Sequence, residues 1–222
     1  MTIHLERDLK RLEKELWDLG ALVEEAINRA IGALVQRRPE LAEQVAQGDM
    51  VIDEKEIQVE EECLKVLALH QPVAGDLRFI IMVLKVNNDL ERMGDLAVNI
   101  AERAAQLARQ DPLPVHLRFP EMTDAVKAMV RRCLNALFSS SAEEARAVLK
   151  MDDAVDQFHR DMFDVLQELM RKDPETIERA IHYLSASRHL ERIADLATNI
   201  AEDIVFLVEG RIIRHRPPNN GA

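Results

Sequence analysis

The sequence predicts an all-α protein of six long helices arranged as two tandem three-helix halves, and three observations carry that reading. The stretch LERMGDLAVNIAE at 90–102 returns as LERIADLATNIAE at 190–202, and ten of the fourteen positions in 89–102 and 189–202 are identical where chance gives about one. Aromatic residues are 4% of the chain and glycines number seven in 222 residues, while Ala, Leu, Glu and Arg abound, a composition of helices rather than sheets. Leu5, Leu9, Leu12, Leu16, Leu19, Val23, Ala26, Ala30 and Ala33 step by threes and fours, the seam of a long helix packed at a shallow angle on its neighbours.

That seam places the first helix over residues 4–37, with Pro39 as the break. A second helix begins at Pro39 or Glu40, where Pro is tolerated at the first helical position, and runs to Leu69. His70–Arg78, with Pro72 and Gly75, reads as a turn, and Asp76 as the cap of a third helix that carries the repeated stretch and ends before Asp111-Pro-Leu-Pro114. This Pro-rich segment divides the chain into a first bundle over 1–110 and a second over 119–210. From Phe119 the pattern recurs: a fourth helix to Phe138, a Ser139-Ser-Ser141 cap, a fifth helix to Lys172, and a sixth from Pro174 to Glu209 that Gly210 closes. Helices one and two align with four and five at an offset of 103, and three with six at 100, so the second hairpin turn is three residues shorter. Residues 211–222, basic and then Pro-Pro-Asn-Asn-Gly, read as a flexible tail.

Hydrophobic residues at 47% suffice for a real core, and a formal charge of −11 argues against nucleic acid as a partner while permitting cations and basic protein surfaces. Cys63 and Cys133 fall at non-equivalent repeat positions, so the expectation is two small core residues of a cytosolic protein rather than a disulfide or a CxxC metal site. The opening MTIHLERDLK has no apolar signal region, and the longest apolar run, Phe79–Leu84, is too short to span a bilayer. The expected location is cytoplasmic, with membranes reached only through partners.

Each half holds two acid-x-x-x-Asp pairs: Asp49/Asp53 and Glu91/Asp95, then Asp152/Asp156 and Glu191/Asp195. Glu91, Asp95, Asn99 and Glu102, like Glu191, Asp195, Asn199 and Glu202, follow one stripe of a helix beside an apolar stripe. Opposed positions of an antiparallel hairpin share a constant index sum; for Asp53 and Glu91 it is 144, centred on Pro72, and for Asp156 and Glu191 it is 347, centred between Asp173 and Pro174. Both centres fall in turns. The four carboxylates of a half therefore gather at one level, about 28 Å from the turn at 1.5 Å per residue.

Like charges at that spacing repel, so something cationic should compensate them. Arg92 and Arg192 could serve, and so could a bound metal; both readings stand. Oxygen ligands without Cys or obligatory His suit Mg, Ca, Mn or Fe better than structural zinc. A di-iron oxidase or iron-storage bundle would want Glu-x-x-His on two helices; the nearest match is Asp156-Gln-Phe-His159, whose first-half counterpart ends in Glu56. His159 and His189 lie near the second acidic group. No Gly-rich phosphate loop and no nucleophile elbow is present, so the reading is of a protein that is not an enzyme.

The segments HQPVAGDLR at 70–78, NNDLERMGDLAVNIAE at 87–102 with its partner at 189–203, and the acid pairs at 49/53 and 152/156 closely resemble the PhoU family of phosphate-uptake regulators. The likeness spans all but the tail, apart from a second turn, Arg171-Lys-Asp-Pro-Glu175, unlike the first. It implies two three-helix bundles related by pseudo-twofold symmetry in a cytoplasmic homodimer. It implies a negative regulator coupling the ATPase subunit of a phosphate ABC transporter to a phosphate-sensing histidine kinase. In some members the acidic motifs form multinuclear iron or zinc sites, which implies metal ligation here by Asp49, Asp53, Glu91, Asp95, Asp152, Asp156, Glu191 and Asp195. Glu102, Glu202, Asn99 and Asn199 are outer candidates. The turn His70–Arg78 and the stripe around Glu91 are the candidate partner contacts, and an iron-storage or oxidase bundle is the alternative.

Overall fold

The structure, a computed structural model, describes residues 3–210; the predicted tail, 211–222, lies outside the described residues. Six α-helices follow in order: α1 (Ile3–Gln36), α2 (Pro39–His70), α3 (Ala74–Leu107), α4 (Phe119–Phe138), α5 (Ala142–Lys172) and α6 (Ile177–Glu209), with no strand among the described residues. Arg38 is extended ahead of Pro39, which opens α2. Ser141 caps α5 by accepting from the Glu144 N–H at 3.2 Å, and Gly210 ends α6 in the left-handed region at φ 68°.

Two boundaries differ from expectation. The first turn is only three residues, Gln71–Val73, so Gly75 and Asp76 belong to the first turn of α3, and Val73, without a side-chain cap bond, stands where Asp76 was expected. The sixth helix is preceded by a 3-10 turn over Pro174–Thr176, in which Asp173 accepts from the Glu175 N–H at 3.1 Å.

The helix contacts close a ring. α1 packs on α3, α3 on α6, α6 on α4 and α4 on α1, while α2 covers α1 and α3 and α5 covers α4 and α6. The α1 seam supplies Leu12, Leu16, Leu19, Val23, Ile27, Ala30 and Leu34 to this core, all buried; Leu9 and Ala26 are only half-buried, and Ile27 and Leu34 take their share. Cys63 and Cys133 are buried free thiols, and burial pushes the Cys63 thiol up to about 12, which keeps it unreactive.

Two acids interrupt the α1 seam, each with a partner from a distant helix. Asp8 meets His70 Nε2 at 2.9 Å, tying the start of α1 to the end of α2, and Glu24 accepts from Arg131 Nε at 2.6 and 2.7 Å, tying α1 to α4 across the halves. These partners sit 62 and 107 residues away, which is why the apolar periodicity alone did not reveal them.

α3 and α6 run antiparallel. Lys85 bonds Asp203 at 3.0 Å and Gln110 bonds Glu178 at 3.2 Å, so index rises along one helix as it falls along the other. The same register puts Asp95 level with Asp195. The pseudo-twofold axis therefore passes through the middle of the repeated stretch itself.

Candidate functional site

In each half the acidic residues are set by a helical hairpin whose register is pinned by a buried polar bridge. Asn87 Nδ2 donates to the Glu56 carbonyl at 2.9 Å and to its carboxylate at 3.1 Å. At the equivalent place in the second half, His159 Nδ1 and Ser187 Oγ are 2.9 Å apart. Their index sums, 143 and 346, differ by one from those expected for the carboxylates, so Asp53 does stand opposite Glu91 and Asp156 opposite Glu191.

The electrostatics record the gathering. Burial pushes the Asp49 carboxyl up from its ordinary range, with Asp53 and Asp95 adding to it. Burial also raises Glu91, reinforced in turn by Asp95, Asp53, Glu56 and Asp49. Asp152 is pushed up to about 6 by burial first and then by Asp156, Asp195, Asp153 and Glu191. Asp195 is raised mainly by burial and by Asp156, against the opposing fields of Arg188 and Arg192. Asp49, Glu91 and Asp152 each feel their helix neighbour and at least one carboxylate from the facing helix, as the spacing predicted.

Compensation differs from expectation and differs between the halves. Arg92 turns to Asp89, 3.5 Å away, and Arg192 makes no ion pair within 4 Å among the described residues, so neither closes on the acidic group of its half. In the second half the work falls to Arg188, which donates to Glu191 at 2.5 and 2.8 Å, and Arg160, 3.3 Å from Asp156. The first half has Asn88 and Ile57 at those positions, and no cationic side chain pairs with Asp49, Asp53, Glu91 or Asp95 among the described residues. Glu56 joins this first group: its carboxyl is raised by burial, Glu60 and Asp53. Its position three residues beyond Asp53 was a signal in the sequence that it belonged there.

The outer candidates are placed less centrally. Asn99 donates back to the Asp95 carbonyl at 2.9 Å, and Glu102 lies 3.7 Å from Arg103, one residue along its own helix. Glu202 is half-buried on the equivalent turn of α6, while Asn199 is exposed. His189 is half-buried, 3.3 Å from Ser185 Oγ through Nε2, and its pKa is lowered by burial and by Arg192 and Arg103; its Nδ1 is a buried atom without a partner.

As chemistry, the site is a surplus of acceptors. Asp152 Oδ1 is buried with no hydrogen-bond partner, an arrangement that costs about 1–3 kcal/mol or more unless a cation or proton meets it. That orphaned oxygen and the all-oxygen donor set fit a hard or borderline cation. Among the described residues, no three His, Cys, Asp or Glu side chains already close around one point as a chelate, so cation binding has to draw side chains together.

Between the halves, the two stripes converge on one cleft of 290 Å³ on the pseudo-twofold axis, lined by Arg92, Asp95, Leu96, Asn99 and by their repeats Arg192, Asp195, Leu196, Asn199.

The PhoU domain model matches this chain twice, over residues 16–104 and 119–204, once in each half of the ring. A phosphate-specific transport system accessory protein PhoU homolog of Aquifex aeolicus is 40% identical over 210 residues, covering 95% of each chain. The crystal structure of PhoU from Pseudomonas aeruginosa superposes with a TM-score of 0.86 at 37% identity, over 93% of this chain and 99% of that one. The phosphate transport system regulatory protein PhoU from Streptococcus pneumoniae does so with a TM-score of 0.87 at 31% identity, over 94% and 99%. With its paired acidic hairpins, its antiparallel α3–α6 junction and these full-length relatives, the chain belongs to the PhoU family.

Proposed function

We propose that this protein is a cytoplasmic negative regulator of phosphate uptake and of the phosphate-starvation response, working as a homodimer without catalysis of its own. The observation that carries this reading is likeness over nearly the whole chain to proteins named as accessory or regulatory components of phosphate transport. No helix among the described residues is long and apolar enough to cross a membrane, which accords with membrane contact only through partners. The partners are the ATPase subunit of a phosphate transporter and the cytoplasmic part of its sensor kinase. A rigid helical ring can regulate them only by binding one of their states better than the other, here the phosphate-replete state. The turn region His70–Arg78, where Val73 is 74% exposed, and the acidic stripe around Glu91 are the contact surfaces. Deleting the gene leaves phosphate-starvation genes switched on in phosphate-rich medium; continued repression with normal uptake would overturn the reading.

The same reading includes metal. Divalent or ferric ions (Fe, Mn, Mg or Zn) would be held in the first half by Asp49, Asp53, Glu91 and Asp95, and in the second by Asp152, Asp156, Glu191 and Asp195. Glu102, Glu202, Asn99 and Asn199 would lie farther out. A bound ion supplies the positive charge that the first group lacks among the described residues and that Arg188 and Arg160 bring only to Glu191 and Asp156 in the second. The residues themselves keep the pairs level and hold the buried Asp152 oxygen ready to ligate. Calorimetry with Mn, Mg, Fe and Zn tests it: binding is expected, and Asp95→Asn with Asp195→Asn should abolish it. No binding, or binding indifferent to that pair, removes metal from the account.

A further inference from the structure

The cleft on the pseudo-twofold axis has a second chemistry besides carboxylate. Its walls carry two guanidinium groups and two side-chain amides, with Leu96 and Leu196, each 6% exposed, as apolar floor. Arg92 and Asp95, and likewise Arg192 and Asp195, are three residues apart on one helix, the spacing at which ion pairs form readily, yet neither pair closes within 4 Å. Arg192 has no hydrogen bond or ion pair among the described residues, and Arg92 has only the 3.5 Å approach to Asp89. Asn99 has spent one of its two amide hydrogens on the Asp95 carbonyl, and one remains. Two arginines lining one cleft on either side of an axis, neither closed on the carboxylate three residues along, match an oxyanion, whose oxygens a guanidinium fork engages two at a time. The volume, 290 Å³, amounts to roughly ten waters at about 30 Å³ each, enough for a small ion with part of its hydration.

We propose that this cleft binds a tetrahedral oxyanion of the phosphate class between Arg92 and Arg192, with Asn99 and Asn199 as supporting donors, and that the charge on Asp95 and Asp195 gates it. With both carboxylates ionised, two positive and two negative side chains cancel and an anion gains little. When those carboxylates are neutralised, the lining carries two net positive charges and the anion is drawn in. The physiological neutraliser is the cation proposed above for the acidic hairpins, so this step rests on that reading. Asp95 and Asp195 belong to both places, which couples the two ligands: each raises the other's affinity by the same factor. Such a protein reports cation and oxyanion jointly from the centre of its fold.

The test separates the cleft from the metal. Inorganic phosphate is titrated calorimetrically into the chelator-treated full chain, its fold monitored by circular dichroism. The wild-type chain should bind weakly, and Asp95→Asn with Asp195→Asn should bind at least about tenfold more tightly, the worth of one charge-assisted hydrogen bond. Adding Arg92→Gln and Arg192→Gln to that variant should return the affinity to the wild-type level or below. In manganese-loaded wild-type protein, phosphate should tighten by about the same factor. Glycerol phosphate identifies the source: equal affinity assigns the cleft to a phosphoryl group on a larger molecule, and loss of affinity assigns it to the free ion. The oxyanion site is overturned if the double Asn variant binds phosphate no more tightly, or if its affinity survives loss of both arginines. If manganese fails to bind while arginine-dependent phosphate binding appears in the Asn variant, the metal reading falls and the oxyanion site stands.

Discussion

Replacing Asp152 by Asn asks how much the acidic grouping costs the fold. The Asp152 carboxyl has an ordinary value of 3.8 and is pushed up to about 6 in the folded chain. A raised acid favours its neutral form in the fold, so its penalty is absent below 3.8, where both states hold the proton, grows as pH rises to about 6, and is constant above. A shift of about two units corresponds to roughly 3 kcal/mol, but the side chain is only about half-buried, and solvent screening reduces this to about 1 kcal/mol. Asn keeps the shape, removes the charge and can donate to a neighbouring carboxylate. Urea unfolding in chelator, followed by circular dichroism between pH 4 and pH 8, should show the variant equal to wild type near pH 4 and about 1 kcal/mol more stable at pH 7–8. Manganese should then reverse the order, because a ligand that binds only the folded wild type stabilises it by mass action. An advantage for Asn that does not grow with pH, or a loss of stability at every pH, refutes the argument.

Two further outcomes concern packing and charge. A Cβ on Gly94 would stand 3.1 and 3.2 Å from two side-chain carbons of Ile52, whereas the second half has Ala194 and Val155 at these positions. Gly94→Ala should lose its helix-propensity gain of about 1 kcal/mol to crowding, and Ile52→Val alone should cost about 1 kcal/mol. Together they rebuild the second half's pair, so a double-mutant cycle by thermal unfolding should show favourable coupling of about 1 kcal/mol, and strict additivity would contradict the contact. Arg131→Met should destabilise by about 1–3 kcal/mol by stranding the buried Glu24, and adding Glu24→Gln should recover part of the loss; a cost that is unchanged in the Gln background would show that Glu24 does not depend on Arg131.

Local pattern carried the helices, and the duplication carried the hairpins. Six helices follow from the apolar seam, the prolines and the capping Ser141 and Gly210, because these act within a few residues of themselves. The opposition of Asp53 and Glu91 followed from arithmetic alone, since a hairpin leaves one free parameter, the turn, and Pro72 set it. What adds a third partner was hidden. The bond from Arg131 to Glu24 spans the two halves, and so does the antiparallel seating of α3 on α6; neither leaves a period or a motif. Some of the hidden structure had a trace in the repeat. Asn88 becomes Arg188 and Ile57 becomes Arg160, which already says that the second acidic group is compensated and the first is not.

The axis also explains why identity between the halves is concentrated in one stretch. A residue near the centre of α3 packs against α2 of its own half and, across the axis, against the matching stretch of α6. Leu96, Ala97, Ile100 and Ala101 are buried, as are Leu196, Ala197, Ile200 and Ala201. By the pseudo-twofold symmetry each stretch packs against the other, so a change in one copy meets the other copy's unchanged surface, and the two have reason to stay alike. Gly94, whose nearest side chain is Ile52 on its own α2, was free to diverge together with that partner, and it did. The apolar identities thus need no ligand to account for them. Arg92, Asp95 and Asn99 face the cleft rather than the core, and packing does not require the same three side chains there twice. Their repetition as Arg192, Asp195 and Asn199 is what a shared ligand on the axis would require.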